Sequence, residues 1–172
     1  MEFEFNRKLL KRIAGGVFVF ALGILLFASS IFQFSQGPLN RDHPDVRNIR
    51  YLFGELEFEL LDSYGVEGSW AGDIERGFVA RVPGLAAQWN RQFPAAVSGD
   101  ALSGELLNAV SFVTQNLGGG VLHWFPRAGE VRTPNYSVQL LTVDVTGNSI
   151  DSSRLLLFRP ADEMLFYAWV KY

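Results

Sequence analysis

Residues Ile13 to Phe34, the run IAGGVFVFALGILLFASSIFQF, carry no charge over 22 positions and follow directly on the basic cluster Arg7, Lys8, Lys11 and Arg12. At about 1.5 Å per helical residue such a run spans roughly 33 Å, enough to cross a hydrocarbon core of about 30 Å with modest tilt. Water-soluble helices keep a polar stripe, and none is present here. A cleaved secretory signal is the main rival, because Ala28-Ser29-Ser30 offers small residues where a signal peptidase reads. The apolar core is longer than the usual 7 to 15 or so residues of a signal, and Phe32 and Phe34 continue it past that cut. The expectation is therefore an uncleaved signal-anchor helix over 13–34, embedded in the lipid bilayer.

The flanks set the expected orientation. The tail of residues 1–12 holds four Lys/Arg against Glu2 and Glu4, and the long segment after the run translocates largely regardless of its charge. This places the tail in the cytoplasm and residues 35–172 in the periplasm of a bacterial inner membrane. Within the run, Ala14, Ala21 and Ala28 and then Gly16, Gly23 and Ser30 recur every seven positions. Small residues at coiled-coil spacing let a second helix approach closely in lipid, so these six are the expected helix-packing interface with other transmembrane subunits.

Composition narrows the chemistry. From Ser35 onward there are 11 basic against 16 acidic residues, a balance of −5, which argues against a nucleic-acid partner. The absence of Cys removes disulfides, thiol catalysis, covalent haem and Cys-based zinc sites. His43 and His123 stand alone without metal-ligand spacing, and no GxSxG nucleophile turn occurs. Gly118-Gly119-Gly120 follows a helical pattern instead of a strand, so it reads as a helix stop and not as a phosphate loop. The acidic stretch from Glu55 to Glu75 lacks the DxDxDG register of a calcium loop and reads as a solvated face. No catalytic residue, cofactor or metal ligand is assigned.

The periodicities predict an α+β chain: the transmembrane helix, a linker over 35–43, then one domain over 44–172 with two or three helices and a C-terminal antiparallel β-meander. Pro44 fits a first helical position with Asp42 or His43 as its cap, and Val46, Ile49, Leu52, Phe53, Leu56 and Leu60 continue at helical spacing, so a helix is expected over 45–63. Its rival is a strand, since Glu55 to Leu60 alternates cleanly. Further expectations are a strand over 77–82, a helical patch over 85–91, a helix over 101–117 capped by Asp100, and strands over 121–125, 136–146, 154–159 and 164–171. The last strand is apolar on both faces, which suggests either burial on both sides or an exposed binding strip of Tyr167 and Trp169. Arg127 and Arg132, in the loop FPRAGEVRTPNY, complete the expected partner contacts.

The outline of a hydrophobic N-terminal helix before an antiparallel meander resembles that of type IV pilins, but a cut after Gly16 would put Ala21, not Glu, at the fifth position, so no family is assigned. The reading that remains is a non-catalytic, single-pass accessory subunit of a larger membrane complex, respiratory or photosynthetic for example. The alternatives are a membrane-tethered ligand-binding or sensory module and, third, a periplasmic enzyme.

Overall fold

The computed structural model describes residues 34–68, 72–118 and 122–172. The fold is α+β, built on one antiparallel sheet. Strands β1 (Phe34–Gly37), β2 (Glu59–Gly68) and β3 (Ile74–Arg81) form one meander, and β5 (Ser137–Thr146), β6 (Ser149–Arg159) and β7 (Met164–Lys171) form the other. With the two-residue β4 (Val97–Ser98) at the far edge, the order is β1-β2-β3-β7-β6-β5-β4. The two meanders therefore join where β3 pairs with β7, roughly ninety positions away in sequence.

Because β6 and β7 are apolar on both faces, the sheet must be covered twice. On one side, α3 (Gly104–Leu117) presses Val110, Val113 and Leu117 onto Val79, Leu155, Leu157, Phe166 and Ala168, helped by Leu122, Phe125 and Val131 from residues 122–131. On the other side, α1 (Pro44–Leu52), a 3-10 turn over Leu85–Ala87 and the single-turn α2 (Trp89–Gln92) cover Phe78, Ala80, Leu156, Phe158, Leu165 and Tyr167. Each fully buried Leu or Phe contributes about 1.5–3 kcal/mol relative to exposure. Trp89 stacks on Phe158 at 4.8 Å, and its indole Nε1 donates to Ser137 Oγ at 2.7 Å. Gly99 lets its turn nest under the next segment, since a Cβ there would lie 1.9 Å from the Val131 carbonyl oxygen.

Several boundaries depart from expectation. The helix from Pro44 ends at Leu52, not 63: Phe53 turns the chain, Gly54 takes a left-handed φ of +59°, and β2 begins at Glu59. The ladder to β3, which exists only in the folded chain, overrides the helical propensity of the Glu/Leu stretch. Asp100 lies in a 3-10 turn, and the long helix starts at Gly104 behind Ser103. Residues 122–125 make no strand; the Leu122 amide donates to Leu117 O and the Phe125 amide to Leu122 O, closing turns against the helix end. The expected linker contributes Ser35–Gly37 to edge strand β1, together with Phe34 from the end of the apolar run.

The remainder of the expected membrane helix, 13–33, lies outside the described residues, with Ala14, Gly16, Ala21, Gly23, Ala28 and Ser30. No helix among the described residues is long and apolar enough to cross a membrane.

Candidate functional site

The densest polar feature sits where α1 meets the sheet. Pro44 at the first helical position is capped by His43, whose Nδ1 accepts the Asp45 amide at 3.2 Å. With the helix rotation fixed by Val46, Ile49 and Phe53 in the core, Asp45 points inward and is only 6% exposed. Its Oδ2 accepts from Arg76 Nη1 of β3 at 2.9 Å, and its Oδ1 lies 3.8 Å from Arg154 Nη2 of β6.

Strand register explains why two arginines converge there. Arg76 and Arg154 both pair with Trp169, from opposite sides of β7. The three side chains form one row across β3, β7 and β6, and the guanidinium carbons lie 5.1 and 4.0 Å from the indole centroid. The next row is Phe78, Tyr167 and Leu156, all fully buried. Burial, and then the negative charge of Asp45, push ionisation of the Tyr167 hydroxyl upward. Burial and then the positive charge of Arg76 lower the pKa of His43, against the pull of Asp45. A neutral imidazole keeps its Nδ1 lone pair for the cap. The chemistry of this row is electrostatic clamping: it bolts the start of α1 to the two central strands and to β6.

Clamping α1 by one face determines what the other presents. Arg47, Arg50, Tyr51 and Gly54 follow an i, i+3, i+4, i+7 stripe on the outer side and line an open hollow. Tyr51 is 83% exposed and Leu52 42%.

The expected partner contacts do not come together. Tyr167 is 1% exposed, a core residue stacked on Phe78 at 5.0 Å, so no exposed Tyr167/Trp169 strip forms. Trp169 is half-buried beneath the two arginines. Arg127 and Arg132 are exposed, but they flank α4 (Ala128–Val131) on the opposite side of the sheet, where the Arg127 amide donates to Glu130 Oε2 at 2.7 Å. His123 is exposed on a turn. Among the described residues no three His, Asp or Glu side chains gather to hold a metal ion. The Asp45 cluster escaped the sequence reading because its arginines meet only through the β3–β7 pairing; its one local signal was an acid in the first turn after Pro44.

The chain matches no protein-family model, no curated protein and no solved structure.

Proposed function

We propose that this protein is a non-catalytic, single-pass accessory subunit of a larger bacterial inner-membrane complex, respiratory or photosynthetic for example, with a cytoplasmic N-terminus and a periplasmic α+β domain. The observation that carries the reading is the junction of the two parts. An uncharged 22-residue run leads without a spacer into β1, an edge strand of the sheet. A domain joined that closely to a membrane helix is held near the bilayer surface, a placement suited to binding and positioning neighbours. The sheet that a ligand-binding module would use is filled on both faces by the chain's own helices and turns, which favours the accessory reading over the sensory one.

The helix would pack laterally through Ala14, Ala21 and Ala28 and through Gly16, Gly23 and Ser30. Purifying the tagged full chain in mild detergent and identifying what accompanies it tests the proposal. Stable co-purification of membrane subunits is the expected result, and a solitary monomer contradicts it. Gly23→Leu should release those subunits; unchanged co-purification would defeat the lateral-packing part.

A further inference from the structure

The outer stripe of α1 departs in charge from the domain that carries it. From residue 35 onward acidic residues outnumber basic ones by 16 to 11, yet within α1 the exposed charges are Arg47 and Arg50 alone. The only acid of the helix, Asp45, is turned inward and engaged by Arg76 and Arg154. Tyr51, one helical turn after Arg47, is almost fully exposed, and Leu52 follows it in sequence. A flexible cation next to an amphipathic ring is the composition that settles at lipid headgroup depth.

Position strengthens the case. Pro44 lies ten positions after Phe34, a chain reach of at most about 36 Å, and part of that length is spent in β1. The start of α1 therefore lies within that reach of the point where the apolar run would leave the bilayer. Asp42 and Glu55, the nearest exposed acids in sequence, lie beyond the two ends of the helix and not on the stripe.

We propose that Arg47, Arg50 and Tyr51 seat α1 on the anionic phospholipid surface beside the membrane helix, fixing the tilt of the domain over the bilayer. This rests on the single-pass reading above. Each arginine shifts the docked equilibrium about fivefold toward the lipid when the headgroups are anionic. The clamp at Asp45 keeps the stripe facing outward.

The natural chain has no Cys, so one introduced thiol reports from one place. Tyr51→Cys and, on the exposed β6–β7 turn at the sheet end opposite Phe34, Ala161→Cys are spin-labelled separately in the full-length protein. Each is then reconstituted into vesicles of phosphatidylcholine alone or of equal parts phosphatidylcholine and phosphatidylglycerol. Collision with oxygen relative to a water-soluble nickel chelate should rise several-fold at position 51 in the phosphatidylglycerol vesicles and stay low at 161. The rise should vanish in Arg47→Gln/Arg50→Gln and shrink as salt shortens the Debye length from about 10 Å at 0.1 M to about 3 Å at 1 M. Vesicle-bound protein with position 51 as water-exposed as 161, or equally immersed without anionic lipid, overturns the proposal and leaves the anchor reading intact. Protein that fails to float with either vesicle overturns the anchor reading itself.

Discussion

The two ends of strand β7 each carry an arginine arrangement, and they solve different problems. At the Met164 end, Arg159 reaches Asp162 by two hydrogen bonds of 2.9 and 2.7 Å and the Tyr136 hydroxyl by one of 3.0 Å, while lying over the Tyr136 and Phe166 rings. Its carboxylate is three residues away, half-exposed, and held below the usual carboxylate range mainly by that hydrogen bonding. At the Lys171 end, Arg76 and Arg154 share Asp45, a carboxylate that is nearly buried and belongs to a helix 31 and 109 positions away, counting from the residue numbers. The first arrangement closes a hairpin that neighbouring residues already favour. The second joins α1 and β3 to the β6–β7 hairpin, elements that have no local reason to meet.

If that contrast is right, the carboxylates differ sharply in worth. Asp45→Ala should cost about 3 kcal/mol, because it leaves poorly hydrated guanidinium groups without their shared acceptor. Denaturant unfolding of the full chain in detergent would measure it. Asp162→Ala, at a solvated site, should cost less than about 1 kcal/mol. Equal losses would erase the distinction between clamp and turn.

Trp169→Ala should fall between these, at about 2 kcal/mol, since it removes a half-buried ring and the surface both arginines lie on. Combining it with Asp45→Ala should give less than the sum of the two losses, because both changes dismantle one cluster. Strict additivity would mean that the row and the carboxylate act independently.

The smallest effect concerns pH. A His43 pKa lowered in the folded chain means that the unfolded chain binds the extra proton more readily. Its contribution is present above the ordinary value near 6.5 and is lost as pH falls through the depressed folded value. Unfolding free energy should therefore decline modestly in that window. His43→Asn, which keeps a good N-cap without titrating there, should flatten the decline; an unchanged slope would assign it to other groups.

What could be read from the chain follows the same division between local and distant causes. The β6–β7 hairpin, the end of α3 at Gly118 and the start of α1 at Pro44 depend on turn residues and short-range periodicity, and each lies within a residue or a few of its expected place. The end of α1 is not decided locally, since Glu55 to Leu60 satisfies both the helical period and its strand rival, and the pairing partner that decides is β3. Tyr167 reads from the sequence as either core or contact surface because alternation along one strand cannot tell how many layers cover it. The Asp45 clamp has the same distant cause: Arg76 and Asp45 reach the Arg154–Trp169 pair only when β3 docks on β7 and α1 packs on the sheet.

The proposed function turns on the proposed placement of the domain against a membrane, and one measurement addresses that most directly. Cells expressing a C-terminally tagged full chain are converted to spheroplasts, treated with protease, and their membranes extracted with alkaline carbonate. The account predicts that the full-length chain stays in the carbonate-resistant pellet and that external protease removes the tagged domain. A chain shortened at its N-terminus and recovered in the soluble periplasmic fraction, or a tag that external protease cannot reach, would contradict it.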